Sequence, residues 1–436
     1  MDERFNGTAP EAAMRQTKPT GASFVRIVLN WHDVAFHETT GDRTDPANPT
    51  YNWADADRQM KAAASNGLEP LVTVMRAPPW AHDGGLPAGT STNPDPLAYG
   101  EFAEAAASRY SGAFTPAGAS EPLPRVRWWM AWNEPNRTYF LMPQFAGSSL
   151  LSPELYRALV NAFAGGVRAA DPTNLVVAGG LAPLGVSGSP SPLRFMRALL
   201  ANGKPQVKFD VWSHHPYTSG GPTHKAAGSG NVALGNLPTM RTLLNERFRA
   251  GRIDTTRSKV PFWVTEFGWD TKPPDRHRYA LPTGLHARWT AEALYRMWRN
   301  GVSLVTWFKL RDNPFKLSRY QSGLYTTSGA RKRSFRAFRF PTVAFRRPGR
   351  IAVWGRTPKS TPGKVVIQIR IGAGWRNITT LRANANGIFR RSLRTPYRNG
   401  NIRARHRGEA SLGFSLTPVA DRYVNPFGCG GGSSCT

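Results

Sequence analysis

Residues 126–136 read Val-Arg-Trp-Trp-Met-Ala-Trp-Asn-Glu-Pro-Asn, an apolar run that gives way at once to polar side chains. A run that is apolar at nearly every position is typical of a parallel strand covered on both faces. Polar or aromatic residues follow other apolar runs of the chain in the same way. These are Asn30-Trp31-His32, Pro79-Trp80, His215-Pro216-Tyr217 and Glu266-Phe267-Gly268-Trp269. The pattern places the polar chemistry of the chain at the ends of strands.

Outward from this segment, strand-like and helix-like stretches alternate between residues 24 and 340. The predicted strands are 24–29, 68–75, 126–132, 175–178, 209–213, 262–265 and 302–308. The predicted helices are 9–17, 55–64, 97–110, 153–170, 193–200, 237–248, 285–299 and 331–338. Alternation at this spacing indicates repeated βα units and a parallel sheet. We expect an α/β fold of the (β/α)8 TIM-barrel type, because its chemistry lies at the carboxyl ends of the strands. A doubly wound sheet is disfavoured, since no Gly-rich phosphate turn follows any strand.

Seven strands are one fewer than such a barrel contains. The helix predicted over 9–17 leads directly into the strand at 24–29, so we expect the first barrel strand to be missing from this chain. We hypothesise that the start codon is mis-assigned and that upstream sequence encodes this strand and a signal peptide. A stop codon directly before Met1 in the genomic sequence would contradict the hypothesis.

The pattern of apolar and polar residues changes at Pro341. Segments 350–355, 364–370 and 388–393 alternate apolar and polar residues between turn signals, which is the pattern of antiparallel strands. We therefore expect a barrel over 1–340 and a small all-β sandwich of the Ig-like type over 341–420. A Gly/Ser-rich tail follows over 421–436 and contains Cys429 and Cys435. These two cysteines either close a small disulfide in an exported protein or belong to a frayed terminus.

The 436 residues carry a net charge of +29, with 57 Lys and Arg against 28 Asp and Glu. Residues 341–436 alone hold 17 basic and 2 acidic side chains. Two interpretations stay open, namely attraction of this basic region to an anionic surface such as a cell wall, or a solvated Arg-rich surface without a partner. No zinc-finger spacing or RRM aromatic signature is present, so no specific nucleic-acid partner is expected. No run of 18 apolar residues occurs, which excludes an apolar membrane-spanning helix.

Two carboxylates follow predicted strands directly, Glu134 in Trp-Asn-Glu-Pro and Glu266 in Thr-Glu-Phe-Gly. A glutamate at the apolar end of a strand is costly unless it has partners or a function there. Hydrolysis of a glycosidic bond uses two carboxyl groups, one to protonate the leaving oxygen and one to attack the anomeric carbon or activate water. Both strand ends lie at one face of a parallel barrel, so the two groups can converge. Either glutamate alone is equally well explained as an ion-paired loop residue.

Trp132-Asn133-Glu134-Pro135 resembles the Asn-Glu-Pro signature on the fourth barrel strand of glycoside hydrolase clan A. Thr265-Glu266-Phe267-Gly268 resembles the signature on that clan's seventh strand. The resemblance covers residues 1–340 and is closest to families 39 and 5. Family 5 usually carries a histidine on its third strand. The equivalent strand here ends in Met-Arg-Ala-Pro-Pro-Trp over 75–80, which favours family 39.

The resemblance implies a retaining mechanism in which Glu134 is the general acid/base and Glu266 is the nucleophile. The two carboxyl groups of a retaining enzyme lie roughly 5–5.5 Å apart. Supporting roles follow for residues that bind substrate or orient the pair. These are Arg26 near the nucleophile, Asn133 on the sugar 2-hydroxyl, His215 beside Glu134, Tyr217 donating to Glu266, and Trp307, Trp80, Trp269 and Trp31 as sugar platforms. Whether His215 or its neighbour His214 points inward is left open by the sequence.

No His-Glu-x-x-His, Walker A, dinucleotide or nucleophile-elbow motif occurs, so neither a metal nor a cofactor is expected. The function expected is hydrolysis of an oligosaccharide or polysaccharide outside the cell or at its surface. The alternative is a non-catalytic carbohydrate- or cell-wall-binding protein on a degenerate glycosidase barrel. A third hypothesis makes the basic C-terminal region the main module, binding wall polymers or nucleic acid.

Overall fold

The computed structural model describes residues 9–82, 92–315 and 320–427. Cys429 and Cys435 lie outside these residues, and their pairing stays a prediction. Two regions follow each other along the chain. The first alternates strands and helices up to Arg339, and the second, from Thr342 onward, consists mainly of antiparallel strands.

Seven parallel strands pair in chain order to form the sheet of the first region. They are β1 (Phe24–Asn30), β2 (Glu69–Met75), β3 (Trp128–Ala131), β4 (Leu175–Leu181), β5 (Val211–His214), β6 (Phe262–Val264) and β7 (Val302–Val305). Successive residues of these strands are buried on both faces, as the apolar runs predict. Contact between Arg26 of β1 and the segment after β6 shows that the sheet curls round upon itself.

Helices follow the strands and cover the outer side of the sheet. They are α1 (Pro10–Thr17), α2 (Trp31–Val34), α3 (Ala54–Ser65), α4 (Pro96–Arg109), α5 (Ser152–Ala170), α6 (Pro192–Leu199), α7 (Leu237–Arg249), α8 (Thr283–Arg299) and α9 (Arg333–Arg339). Proline stands in the first turn of α1, α4, α5, α6 and α7, where its missing N–H is no loss. In the described residues, β1 and β7 share no ladder and flank a small groove of about 90 Å³. The predicted TIM-barrel type is confirmed, and the described residues contribute seven parallel strands to its sheet.

Two strands are three residues shorter than the sequence suggests. The apolar run at 126–132 predicts a strand through Trp132, yet β3 ends at Ala131 because Trp132 adopts a positive φ of 65°. The run at 302–308 stops pairing after Val305. The single turn α2 was not predicted, since its four residues are too few to show a helical period.

The second region is a sandwich of two antiparallel sheets, which confirms the predicted all-β architecture. Its strands are β8 (Thr342–Arg347), β9 (Arg350–Arg356), β10 (Gly363–Arg370), β11 (Trp375–Ala383), β12 (Ile388–Arg394), β13 (Asn401–His406), β14 (Glu409–Ala410) and β15 (Phe414–Ser415). One sheet has the order β8-β9-β12, and the other has β11-β10-β13 with β14 and β15 on β13. The sandwich core includes Ala287 and Ala291, so helix α8 packs against it from the barrel side.

Residues 421–427 return from the sandwich to the barrel. The Val424 N–H donates to the carbonyl of Ser219 at 3.0 Å, and the Val424 side chain is fully buried. The Asp270 N–H donates to the carbonyl of Pro426 at 2.6 Å. The segment thus adds backbone hydrogen bonds to the loops after β5 and β6. No helix within the described stretches combines the length and apolarity needed to cross a bilayer.

Helices α4 and α5 approach closely enough to require glycine. A Cβ added at Gly166 would lie 2.1 Å from the carbonyl oxygen of Gly100, whereas one added at Gly165 would have no atom within 4 Å. We expect Gly166→Ala to lower the free energy of unfolding by about 1–3 kcal/mol through overpacking. The matched Gly165→Ala should leave it unchanged or raise it by up to about 1 kcal/mol. Urea denaturation measures both, and equal unfolding curves for the two variants would contradict the helix contact.

Candidate active site

Two glutamates lie at the carboxyl edge of the parallel sheet. Glu134 stands three residues beyond the end of β3, and Glu266 stands two residues beyond the end of β6. Both line one cleft of about 700 Å³, and their side chains retain 16% and 15% exposure. The carboxyl groups are therefore largely desolvated but open to a molecule that enters the cleft.

Arg26 of β1 connects Glu266 to Asn133, the residue that precedes Glu134. Its Nη1 donates to Glu266 Oε2 at 3.1 Å and to the carbonyl of Thr265 at 3.1 Å. Its Nη2 donates to Asn133 Oδ1 at 2.7 Å, and its Nε donates to Thr73 Oγ1 at 2.9 Å. The guanidinium is buried, so these partners replace the water that it has lost. Arg26 thereby fixes the orientation of both Glu266 and Asn133.

Glu266 is held in its ionised form. The Tyr217 hydroxyl donates to Glu266 Oε1 at 2.8 Å, opposite the contact with Arg26. Burial by itself would raise the pKa of Glu266, but the charges of His215 and Arg26 and the Tyr217 hydrogen bond lower it to about 2. Burial and the adjacent Glu266 carboxylate raise the pKa of Tyr217, which keeps its hydroxyl protonated as a donor.

His215 lies beside the other carboxylate. Its Nδ1 is 2.9 Å from Glu134 Oε1, and its Nε2 is 3.1 Å from Thr265 Oγ1. His214 points away, with its Nε2 2.7 Å from the carbonyl of Val232, and burial lowers the pKa of His214 to about 3. Of the two adjacent histidines, His215 is thus the one at the site.

The backbone before Glu134 takes a conformation that is rare for residues other than glycine. Trp132 and Glu134 have φ values of 65° and 42°. The Trp132 N–H donates to the carbonyl of Val74 at 3.0 Å, and its indole Nε1 donates to the carbonyl of Phe140 at 2.7 Å. The Glu134 N–H donates to the carbonyl of Gly180 at 3.1 Å. These bonds hold a strained turn that aims the Glu134 side chain at the cleft.

The four tryptophans proposed as sugar platforms occupy different places. Trp269 and Trp31 are fully buried and do not line the cleft. The Trp80 indole donates to the carbonyl of Ala35 at 2.8 Å. Trp307 donates to the carbonyl of Ser322 at 2.9 Å and lines the small groove between β1 and β7, together with Glu266. Only Trp307 therefore shares a cavity with a catalytic candidate.

Other residues line the cleft that the sequence did not single out. Tyr139, Lys309 and Tyr320 face it from loops after β3 and β7. Phe427, from the C-terminal segment, packs on Tyr217 with ring centroids 4.4 Å apart and on Tyr320 at 5.3 Å. No motif marks these positions, because loops bring them in from distant parts of the chain. The described residues contain no group of three or more His, Cys, Asp or Glu side chains placed to hold a metal ion.

The pKa of Glu266 makes folding depend on pH. Since this pKa is about 2 in the folded chain against an ordinary 4.5, the ionised carboxylate favours the folded state above pH 4.5. That contribution, up to about 3 kcal/mol, is lost as the pH falls towards 2. Glu266→Gln should therefore show a shallower loss of unfolding free energy between pH 5 and pH 2 than the wild type. The exposed Glu246→Gln should keep the wild-type dependence, and parallel curves for all three proteins would contradict the assignment.

Comparison with known proteins gives similarity of structure rather than of sequence. No family model matches the chain, and no curated protein matches it. A family 39 glycoside hydrolase from the gut symbiont Bacteroides cellulosilyticus WH2 is 18% identical with a TM-score of 0.57, covering 87% of this chain and 77% of that one. The GH39 enzyme from Xanthomonas axonopodis pv. citri is 16% identical with a TM-score of 0.53, covering 88% of each chain. The resemblance to family 5 stays a prediction. The chain has the fold of family 39 glycoside hydrolases, as its Asn-Glu-Pro and Thr-Glu-Phe-Gly motifs predicted.

Proposed function

We propose that this protein is a retaining glycoside hydrolase that cleaves O-glycosidic bonds of an oligosaccharide or polysaccharide. The observation that carries the proposal is the pairing of two unlike carboxyl groups in one cleft. Arg26 and Tyr217 keep Glu266 ionised, whereas the hydrogen-bond partner of the Glu134 carboxyl group among the described residues is His215. Two carboxyl groups with different partners are suited to different roles in one reaction.

In the first step, a Glu266 oxygen attacks the anomeric carbon while Glu134 gives its proton to the departing glycosidic oxygen. The bond between the anomeric carbon and the leaving oxygen breaks, and a glycosyl ester of Glu266 forms. In the second step, Glu134 takes a proton from water, and the resulting hydroxide displaces Glu266 from the same carbon. Two displacements restore the starting configuration, and both carboxyl groups return to their initial states.

The neighbouring residues prepare this chemistry. Asn133 Oδ1 accepts from Arg26, which leaves the Asn133 Nδ2 hydrogens to donate to a sugar hydroxyl. A hydrogen bond to the 2-hydroxyl strengthens as the oxocarbenium-like transition state forms. His215 connects Glu134 to Thr265, so it holds the acid/base side chain in position.

The proposed substrate is a carbohydrate polymer or a fragment of one, and the proposed location is outside the cell or at its surface. The cleft is lined by aromatic side chains and by hydrogen-bonding groups, among them Tyr139, Phe140 and Tyr320 with Asn30 and Asp33. Sugars present apolar C–H faces and polar hydroxyl edges, and a mixed lining of this kind suits both.

Removing either carboxylate should abolish turnover. We expect Glu134→Gln and Glu266→Gln each to lower kcat for an aryl glycoside by at least about a thousandfold, because no other described group can replace a positioned acid or nucleophile. Glu246→Gln, an exposed substitution on α7, is the matched control and should keep normal activity. Near-normal turnover by either site variant would show that the roles are misassigned.

The retaining mechanism makes a separate prediction for Glu134→Ala. An activated aryl glycoside with a good leaving group needs no acid, so this variant should form the glycosyl ester of Glu266 and hydrolyse it slowly. Mass spectrometry should detect the adduct on the peptide that contains Glu266. Proton NMR of the wild-type reaction should show the first-formed sugar with the configuration of the substrate. A product of inverted configuration would instead favour an inverting mechanism. Saturable ligand binding by the wild type without turnover would favour a non-catalytic binding protein.

A further inference from the structure

A second concave surface lies where the barrel meets the sandwich. It is formed by Tyr295, Trp298 and Arg299 at the end of α8 and by Phe345, Trp354 and Arg390 on the β8-β9-β12 sheet. We call this surface the junction groove, and its volume is about 390 Å³. It shares no lining residue with the cleft that contains Glu134 and Glu266. Its lining combines aromatic side chains with arginines, and the arginines distinguish it from the apolar interior of either domain.

Three aromatic rings form the floor of the junction groove. Trp298 and Trp354 lie with their centroids 5.3 Å apart and their planes at 38°, and Tyr295 lies 5.4 Å from Trp354 at 53°. Trp298 and Tyr295 are partly exposed, whereas Trp354 is buried beneath them. Rings tilted in this way make a shallow concave apolar surface. They do not make the parallel-walled slot that would receive a flat nucleobase.

Arginines surround this aromatic floor. The Arg390 guanidinium lies over Trp298 at 5.6 Å from the ring centroid. Arg299, Arg390 and Arg391 are all exposed, and none of them forms an ion pair within the described residues. No carboxylate lines the groove. Its cations are therefore available to an anionic ligand.

The positive charge continues along the same sheet face. Trp354 of β9 pairs with Arg390 of β12, and further along the ladder Arg350 pairs with both Arg347 and Arg394. Side chains two residues apart on a strand share a face, so Arg390 and Arg394 lie about 13 Å apart on one side of the sheet. A basic row of that length extends beyond a monosaccharide and matches a polymer with repeated negative charges.

We propose that the junction groove binds a carboxylated polysaccharide. The aromatic floor packs against the apolar faces of sugar rings, and the arginine fork matches a carboxylate with two parallel hydrogen bonds. The preference for a polysaccharide over another polyanion rests on the proposed glycosidase function, since both surfaces would then engage one polymer. The site is distinct from the cleft and requires neither Glu134 nor Glu266.

Binding of polygalacturonate to the full chain tests the proposal, with neutral dextran and a DNA duplex as comparison ligands in calorimetric titrations at low salt. Polygalacturonate should bind, and dextran should not. Arg390→Ala should weaken polygalacturonate binding about tenfold, and Trp298→Leu should weaken it by a similar factor. The matched control is Arg382→Ala on β11, an exposed arginine of the other sheet, which should change the affinity less than about twofold.

Three results would overturn the proposal. Equal losses for Arg390→Ala and Arg382→Ala would show that net charge alone drives binding. Tighter binding of DNA than of polygalacturonate, with the same dependence on Arg390, would identify a nucleic-acid surface instead. Absence of polygalacturonate binding by the wild type would remove the site. Turnover of a small aryl glycoside by the wild type is measured in parallel, and its absence would count against the proposed hydrolase and not against the groove.

Discussion

The buried ion pair between Arg26 and Glu266 organises the carboxyl end of the barrel strands. A guanidinium withdrawn from water must find partners, and Arg26 finds them in four residues on three separate segments of the sheet. They are Thr73 on β2, Asn133 after β3, and Thr265 and Glu266 after β6. The removal of one member of such a network leaves the others desolvated and unpaired. The resulting loss of folding free energy is larger than the net stabilisation that the ion pair provides. The same contacts that hold the sheet edges together thus set the protonation state of the proposed nucleophile.

Much of this arrangement could be predicted from local sequence. The apolar run before Asn133-Glu134 and the equivalent run before Glu266 predict strands whose ends meet, because parallel strands bring their carboxyl ends to one edge. Arg26, His215 and Tyr217 could be named as well, because the resemblance to glycoside hydrolase clan A implied a role for each of them. The structure brings these six side chains into one set of hydrogen bonds, in which Thr265 joins the His215–Glu134 pair to Arg26 and its partners.

Other features depended on information that is not local. Trp269 follows the same strand as Glu266, yet its side chain is buried in the core. The alternation of side chains along a strand does not predict their directions after the strand has ended. Phe427 packs on Tyr217 from the segment that its composition predicted to be a Gly/Ser-rich tail. Strand β11 was missed because its residues are largely polar and exposed, so its apolar alternation is weak. Long-range packing decided each of these cases.

The path of the chain ties the two domains together twice. It leaves the barrel at Phe340, builds the sandwich, and comes back to the barrel at Val424, whose backbone bonds to Ser219. A domain joined by one linker can swing freely about it, but one anchored at both ends is limited to small displacements. The sandwich is therefore a fixed support for the barrel rather than a domain that moves on a flexible linker. The returning segment ends in Phe427, which packs against Tyr217 at the proposed site. Cleavage of the chain at one point between the domains would therefore leave them in contact but would loosen the packing behind Tyr217.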